Sequence, residues 1–247
     1  MKKTQDWSNK TVNFATGCEN DCRYCYAKGM AVRFKQVEEG QWHQMRVRQH
    51  DVEKKHRNYG EIVMFPSSHD ITPAVLYEAV IVLGNLLKVG NRVLVVSKPH
   101  FDCIERLCGE FNEFKDDILF RFTIGARNNE ILAFWEPGAP SFEERRDALR
   151  YAYDAGFATS VSMEPILDMD DVIDLFFELE PFVTETIWAG KMNHLKKNIS
   201  FDGPEVDKIE EGQRQENCNL VHELLKKEPK ARFKTGFIKR TGGKKKL

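Results

Sequence analysis

The sequence lacks a membrane-spanning segment, a secretory signal and an excess of charge of either sign. No apolar run approaches the length of about 20 residues that a transmembrane helix needs, so we expect no contact with a membrane. The segment Met1–Lys10 is polar and has no apolar core of the kind that secretory signals carry. The 37 basic residues face 38 acidic ones, and the net charge of −1 does not indicate a nucleic-acid-binding domain. We therefore expect a cytoplasmic protein.

The cysteine pattern also lacks a disulfide framework and a structural zinc site. Three of the six cysteines lie close together, namely Cys18, Cys22 and Cys25. The others are scattered and are interpreted as ordinary buried residues: Cys103, Cys108 and Cys218. A secreted disulfide scaffold is usually shorter and more cysteine-dense, whereas structural zinc is typically held by two Cys-x-x-Cys pairs, and no second pair exists here. Clustered thiols in a reducing compartment indicate a metal or redox site.

The chain has no internal repeat, but strand-like and helical segments alternate along it. Six short apolar runs have the composition of strands: Val12–Ala15, Glu61–Pro66, Arg92–Ser97, Asp117–Gly125, Ala158–Ile166 and Glu185–Gly190. Helix signals separate them, such as Thr72 with Pro73 and the capping box of Ser141 with Glu144. This alternation predicts an α/β fold with parallel strands and right-handed crossovers. Six units are too few for an eightfold barrel, and periodicity leaves an open sheet and a partial barrel as alternatives.

The pattern changes after residue 190. Residues 204–227 have helical spacing, and Ala231–Lys239 is typical of an added strand. We therefore predict one barrel domain over residues 1–190 and a short α/β C-terminal extension over residues 191–247 that packs on it. The basic residues at the end of the extension are interpreted either as a phosphate-binding tail or as a solvated terminus.

The most informative segment is Thr16–Tyr26, which has the sequence TGCENDCRYCY. Its cysteines follow the spacing C-x3-C-x2-C directly after the first predicted strand. Thiolates are the usual ligands of iron–sulfur clusters, and three of them can hold three irons of a cubane. The fourth iron then keeps an open position for a ligand. The loop also follows the C-terminal end of a strand, where α/β folds place their chemistry.

This spacing, with the aromatic Tyr24 before the third cysteine, resembles the radical S-adenosylmethionine (SAM) superfamily. The resemblance implies a partial (β/α)6 TIM-type barrel in which Cys18, Cys22 and Cys25 are the metal ligands and catalytic residues that hold a [4Fe–4S] cluster. It implies that SAM binds the open iron and is cleaved reductively, and that a 5′-deoxyadenosyl radical abstracts hydrogen from a substrate. It also implies an electron donor such as flavodoxin or ferredoxin. We expect a monomer.

A closer resemblance is to the spore-photoproduct-lyase-like branch, which is related to DNA repair photolyases. It covers Val12–Leu167 and rests on three segments: Gly17–Tyr26, Val95–Lys98 and Phe134–Ser141. This branch makes a nucleic-acid base or nucleotide one candidate substrate. A peptide or small metabolite is the alternative, because the charge is near neutral and no cysteine stands between Cys25 and Lys98, where the lyase has its hydrogen donor. A non-catalytic electron-transfer or sensor protein is an alternative of another class, which would need four protein ligands.

The resemblance also implies cofactor-binding roles for side chains at the ends of the predicted strands. Lys98 would pair with the SAM carboxylate, and Tyr24 would lie against the adenine side. At least one member of a four-residue segment would contact the SAM amino group: Ser67, Ser68, His69 and Asp70. Three further side chains would face the ribose, the carboxylate or the substrate: Thr123, Ser162 and Glu164.

Each of these roles has a plainer alternative. Lys98 is equally typical of a surface lysine, and Asp70 of a helix cap. Glu164 is also explained as a salt-bridged side chain, and Trp188, which we consider for the adenine or substrate pocket, as a buried core residue.

Overall fold

Seven short parallel strands form the main sheet, and their order in space is their order along the chain. Two further strands form a separate antiparallel sheet. The structure, a computed structural model, describes residues 7–193, 195, 199 and 202–238. In chain order the strands are β1 (Lys10–Thr11), β2 (Ala15–Thr16), β3 (Arg46–Val47), β4 (Val63–Phe65), β5 (Val93–Ser97), β6 (Ile118–Thr123), β7 (Ala158–Met163), β8 (Ile187–Ala189) and β9 (Ala231–Phe233). The main sheet has the order β1-β4-β5-β6-β7-β8-β9, and each of its pairings is parallel.

Helices connect most of the successive strands. They are α1 (Tyr26–Arg33), α2 (Gln49–Val52), α3 (Leu76–Leu87), α4 (Phe101–Glu110), α5 (Asn129–Trp135), α6 (Phe142–Asp154), α7 (Val172–Leu179), α8 (Pro204–Gly212) and α9 (Gln215–Leu225). The predicted capping box is present, since the Glu144 N–H donates to the Ser141 hydroxyl at 3.3 Å at the start of α6. None of the described helices is long and apolar enough to cross a membrane.

The architecture confirms the predicted α/β fold with a partial barrel and a short C-terminal extension. Within the described ranges, β1 and β9 each have one strand neighbour, so the sheet keeps two edges. The extension supplies α8, α9 and β9, and β9 continues the main sheet by pairing with β8. The division of the chain into domains at residue 190 stays a prediction.

The first strand is shorter and differently placed than predicted. We expected one strand over Val12–Ala15, but the main-sheet strand is Lys10–Thr11, and Ala15–Thr16 pairs with β3 in a separate antiparallel sheet. The chain leaves the ladder after Val12, whose N–H still donates to the carbonyl of Met64. The next N–H groups, of Phe14 and Ala15, donate instead to the ring of His69. A side chain therefore replaces the neighbouring strand as hydrogen-bond acceptor.

The added strand is also shorter than predicted, because β9 ends at Phe233 and not at Lys239. A turn follows it with Gly236 at a positive φ of 89°, and Phe237 is buried in the main core. The basic residues from Lys239 onward lie outside the described residues.

The two faces of the main sheet differ in polarity, as β6 illustrates. Successive side chains of a strand point to opposite faces. Ile118, Phe120 and Phe122 belong to the hydrophobic core that the helices cover. Arg121 and Thr123 lie on the other, concave face, where the guanidinium of Arg121 donates to the hydroxyl of Ser160 on β7. The concave face is therefore polar along β6 and β7.

Candidate functional site

Gly17 begins the cysteine loop in a conformation that favours glycine, with φ at 94°. A side chain here would place its Cβ 2.6 Å from the carbonyl oxygen of Gln44 and 2.8 Å from that of Trp42. The N–H of Cys18 donates to this Trp42 carbonyl at 2.8 Å. The glycine thus allows the loop to rest directly on the backbone before β3, which fixes the first thiol.

The three clustered cysteines sit at the start of α1. Cys18 and Cys22 are buried, Cys25 is half-buried, and all three are free thiols. Cys25 is the N-cap of α1, and its sulfur accepts a hydrogen bond from the N–H of Lys28. Burial raises the pKa of each thiol. A nearby cationic centre such as iron is therefore needed to hold them as thiolates.

The connection between α5 and α6 packs against this loop. The N–H of Arg23 donates to the carbonyl of Trp135 at 2.9 Å, and the N–H of Gly138 donates to the carbonyl of Asn20 at 3.2 Å. A Cβ at Gly138 would lie 2.1 Å from the carbonyl oxygen of Glu19. Backbone-to-backbone packing of this kind leaves room only for glycine at position 138.

Asp70 connects the cysteine loop to the end of β5. One carboxylate oxygen accepts a hydrogen bond from the side-chain amide of Asn20 at 2.8 Å and lies 3.7 Å from the sulfur of Cys18. The other accepts from the backbone N–H of Lys98 at 2.9 Å. The Lys98 ammonium lies 3.7 Å from Asp70. Burial opposes ionisation of Asp70, but the charge of Lys98 and these hydrogen bonds leave its pKa below the usual value.

Glu136 completes a buried ionic network on the other side of Lys98. Its carboxylate lies 3.9 Å from the Lys98 ammonium and 2.5 Å from the guanidinium of Arg145, and Glu136 and Arg145 are both fully enclosed. The Tyr24 hydroxyl donates to the same carboxylate. Burial disfavours the charged ammonium, but the surrounding Cys22, Tyr24, Asp70 and Glu136 raise the pKa of Lys98 well above its usual range. Lys98 is therefore a buried, charged group beside the cysteines and not a surface lysine.

The segment after β4 is held by side chains that satisfy backbone groups. Asn13 accepts hydrogen bonds from the N–H groups of Ser67 and Ser68, at 2.7 and 3.0 Å, and donates to the Ser67 hydroxyl. His69 accepts at Nε2 from two backbone N–H groups, and its Nδ1 lies 3.1 Å from the carbonyl of Asp70. Burial lowers the pKa of His69 to about 4. His69 is thus a neutral ring whose two nitrogens both face backbone groups.

Polar side chains line the C-terminal ends of β6 and β7. Thr123 and Ser162 are opposite each other in register, and the buried Ser162 hydroxyl has no hydrogen-bond partner among the described residues. Glu164 accepts a hydrogen bond from the side-chain amide of Asn193 at 3.0 Å and lies 3.6 Å from the Lys234 ammonium. An unsatisfied buried hydroxyl at the mouth of a barrel is the kind of group that a polar ligand completes.

The cysteine loop fits a cubane cluster better than a single ion. In the part of the chain that the structure describes, no three His, Cys, Asp or Glu side chains are placed to share one ion. In a cubane each cysteine binds a different iron, so its three ligands do not converge on one point. Three free thiols on one tight loop are the donor set that such a cluster needs, with one iron left open.

The family model described as the radical SAM superfamily matches residues 12–177, more than half of the chain. The chain belongs to the radical SAM superfamily. Members of this superfamily are generally enzymes, and membership implies SAM and an iron–sulfur cluster as cofactors. The matched residues include the cysteine loop, Lys98 and the ends of β6 and β7.

Two curated relatives of this radical SAM protein carry the name uncharacterized protein. One, from Acidianus two-tailed virus, is 24% identical over 173 residues, which cover 65% of this chain and 57% of the relative. The other, from Methanocaldococcus jannaschii, is 28% identical over 173 residues, covering 69% and 66%. The match thus spans less than two-thirds of either relative.

Solved structures share the radical SAM fold at low sequence identity. A spore photoproduct lyase mutant with dinucleoside spore photoproduct has a TM-score of 0.59 and 17% identity, covering 90% of this chain and 75% of the other. Streptococcus suis SuiB bound to SAM has a TM-score of 0.55 and 9% identity, covering 91% and 49%. At these identities the likeness concerns the fold.

The structure brings together most of the residues that the sequence singled out for the radical SAM site. Asp70, Lys98 and Tyr24 join the cysteines through one network, whereas Thr123, Ser162 and Glu164 form a second group on β6 and β7. Trp188 is half-buried and donates from its indole N–H to the Thr186 hydroxyl at 2.9 Å. Whether these side chains contact SAM stays a prediction.

Three residues that position the site were not predicted from the sequence, namely Asn13, Asn20 and Glu136. Each acts through hydrogen bonds or ion pairs to residues distant in sequence. Glu136 had a usable signal, because it stands in the segment Phe134–Ser141 that carries part of the family resemblance. Asn20 had the same kind of signal, because it stands in the segment Gly17–Tyr26. Asn13 had none, since an asparagine near a loop is ordinary in any sequence.

Proposed function

We propose that this protein is an enzyme that holds a [4Fe–4S] cluster on Cys18, Cys22 and Cys25 and cleaves SAM reductively. The observation that carries the proposal is the set of three free thiols on a loop at the C-terminal edge of the partial barrel, enclosed by a buried ionic network. When bound, the cluster and SAM supply a 5′-deoxyadenosyl radical that takes a hydrogen atom from the substrate.

The residues of the chain bind and orient SAM. The Lys98 ammonium binds the SAM carboxylate as a point charge, and Asp70 and Glu136 hold that ammonium in place from two sides. The unsatisfied Ser162 hydroxyl and the neighbouring Thr123 donate to the ribose or the carboxylate. Tyr24, anchored by Glu136, lies on the adenine side. The burial of the loop excludes water from the reacting atoms.

Two of the residues that sequence analysis grouped with SAM have positioning roles in this proposal. His69 is occupied by backbone groups, and Asp70 by Asn20 and Lys98. In this proposal Ser67 and Ser68 contact the SAM amino group. Both are half-buried and are held in position by hydrogen bonds to Asn13. Glu164, paired with Lys234, faces the substrate.

The substrate is a nucleic-acid base or nucleotide, or alternatively a peptide or small metabolite. The lyase neighbour with a dinucleoside supports the first class, and SuiB bound to a precursor peptide supports the second. The lack of a cysteine between Cys25 and Lys98 separates this chain from the lyase's own hydrogen-donor arrangement. A non-catalytic electron-transfer or sensor role is the alternative of another class, and three clustered cysteines rather than four disfavour it.

The electron comes from a reductase such as flavodoxin or ferredoxin, which docks beside the cysteine loop. Tyr26, Met30 and Phe34 recur every four residues along α1 and its end, and each is more than half exposed. Residues 26–35 contain three basic side chains and no acidic one. An apolar stripe with a basic rim, directly after the ligand Cys25, suits an acidic one-electron carrier. In this proposal the catalytic unit is a monomer.

The test is anaerobic reconstitution with iron and sulfide, followed by SAM and dithionite, with mass spectrometry for 5′-deoxyadenosine. Wild type is expected to form the nucleoside, and Cys22→Ala is expected to form none. Cys103→Ala is the matched control, because it removes a thiol outside the loop. A cluster-loaded wild type that neither binds SAM nor forms the nucleoside would refute the proposal.

A further inference from the structure

Arg121 is a buried cation that lacks a carboxylate partner among the described residues. Its side chain is 6% exposed, and its one hydrogen bond runs from Nε to the Ser160 hydroxyl at 2.9 Å. A guanidinium has five N–H donors, and here the two terminal nitrogens make no hydrogen bond within the described ranges. Burial lowers the pKa of Arg121 to about 10, although the charge of Glu185 acts in the opposite direction, so Arg121 stays charged at neutral pH. A buried cation with no carboxylate within ion-pair distance is costly unless an anion joins it.

A second buried cation lies against the same aromatic pair. The Lys234 ammonium is 4.0 Å from the centroid of the Trp7 ring, and the Arg121 guanidinium carbon is 4.7 Å from that centroid. Both cations also face Trp188, at 5.5 and 5.7 Å. Lys234 is 5% exposed and pairs with Glu164. Two cations thus share one indole pair, and Arg121 is the one left without a carboxylate.

Arg121 lies on the concave face of the main sheet, on the N-terminal side of the residues proposed to bind SAM. Arg121 is opposite Val96 on β5 and Ser160 on β7, and two residues further along β6, Thr123 is opposite Ser162. Two residues of strand cover about 7 Å. Val96 and Leu119 lie on the same face and are half-buried although they belong to central strands, so the protein does not cover this face completely.

We propose that Arg121 and Lys234 form a subsite for an oxyanion of the substrate, a carboxylate or a phosphate group. The planar guanidinium binds such a group with two parallel hydrogen bonds, and the Trp7 and Trp188 rings wall the site off from water. The substrate is then bound with its anionic group against Arg121 and Lys234 and with its hydrogen-donating carbon near Thr123 and Ser162. This inference rests on the proposed function and narrows the substrate to an anionic molecule.

The test is isothermal titration of the anaerobic holoenzyme with inorganic phosphate and, separately, with acetate. Wild type is expected to bind at least one of them, and Arg121→Gln is expected to weaken that binding at least about tenfold, the loss typical of one charged hydrogen-bonding group. Arg121→Lys keeps a cation on the indoles and is expected to retain intermediate affinity. Arg127→Gln is the matched control, because that guanidinium is already paired with Asp171 and Glu178.

The titrations with phosphate and with acetate distinguish two classes of anionic substrate. Preference for phosphate supports a phosphorylated substrate, and preference for acetate supports a carboxylic acid. Absence of binding to wild type, or equal binding by wild type, Arg121→Gln and Arg121→Lys, overturns the subsite. Competition between phosphate and SAM also overturns it, since the anion would then be the SAM carboxylate. Formation of 5′-deoxyadenosine by wild type is measured alongside, so a failed subsite is distinguishable from a failed function.

Discussion

The Lys98 ammonium lies 3.9 Å from the Glu136 carboxylate, and this contact joins the end of β5 to the loop between α5 and α6 inside the protein. The same carboxylate pairs with the fully buried Arg145. Glu136 thus neutralises two cations from different elements, beside the three cysteines.

Replacing Glu136 should therefore cost more stability than replacing an exposed glutamate. Glu136→Gln leaves Arg145 buried without its counter-charge, and we expect a loss of about 3 kcal/mol in the free energy of unfolding. Glu105→Gln, on the exposed side of α4, is expected to change it by less than about 0.5 kcal/mol. Urea unfolding of the anaerobic protein measures both. Adding Arg145→Met to Glu136→Gln should recover part of the loss, and a double variant no more stable than the single one would contradict this account.

Gly138 should be needed for cluster binding although it lies far from the cysteines in sequence. Gly138→Ala places a methyl group 2.1 Å from the Glu19 carbonyl, so the cysteine loop or its neighbour must shift. We expect the iron and sulfide content after reconstitution to fall to less than half of the wild-type value. Gly109→Ala, which meets nothing within 4 Å on α4, is the control and should keep full iron content. Normal loading of Gly138→Ala would show that this packing does not hold the loop.

His69 should make stability depend on pH below neutrality. Its pKa is about 4 in the folded protein and near 6.5 when unfolded. Between these values the unfolded chain binds the proton more readily, so stability is full above pH 6.5 and falls as the pH approaches 4. From pH 7.5 to pH 5 the expected loss is about 2 kcal/mol.

The measurement compares wild type with His69→Gln at both pH values, so that other titrating groups cancel. Glutamine can still accept the N–H groups of Phe14 and Ala15, but it takes up no proton. The difference in stability between the two proteins should shrink at pH 5. A difference that is constant with pH would mean that His69 is not held neutral.

The exposed apolar stripe on α1 should affect the rate of 5′-deoxyadenosine formation with flavodoxin as the electron donor, but not the rate with dithionite. Charged groups at Met30 and Phe34 disrupt an apolar docking face, so Met30→Asp with Phe34→Asp is expected to slow flavodoxin-driven formation of 5′-deoxyadenosine about tenfold. The dithionite-driven rate should hold, because that small reductant needs no docking face. Tyr77→Asp, an exposed aromatic on α3, is the control. An equal fall in both rates would place the defect in the cysteine loop itself.

The sequence alone predicted the features that depend on local pattern. Alternating strand and helix signals are sufficient for an α/β fold with parallel strands, and the spacing of Cys18, Cys22 and Cys25 is sufficient for the family resemblance that implies a partial barrel. The metal-ligand role of these cysteines stays a prediction. Strand ends were less predictable, because hydrogen-bond partners decide them: His69 takes the N–H groups of Phe14 and Ala15, and no local propensity encodes that capture.

The sequence pattern could not predict which side chains, distant along the chain, come together in the fold. Arg121 stands in an apolar run that predicts a strand and gives no sign of its partners. The register of β6 places it opposite Ser160 and against two tryptophans. Glu136 likewise gains its role only once α5 brings it to Lys98. Register and packing create both sites, and both are set by the whole sheet.

The contact between Trp7 and Lys234 bears on how the protein forms during synthesis. The cysteine loop and its ionic network draw only on residues up to Arg145, so they can assemble while the later chain is still being made. The indole pair with its two cations must wait for Lys234 to emerge, because Lys234 is synthesised after Trp7, Arg121 and Trp188. The residues proposed to hold the cluster can thus be in place before the subsite proposed to bind the anion of the substrate.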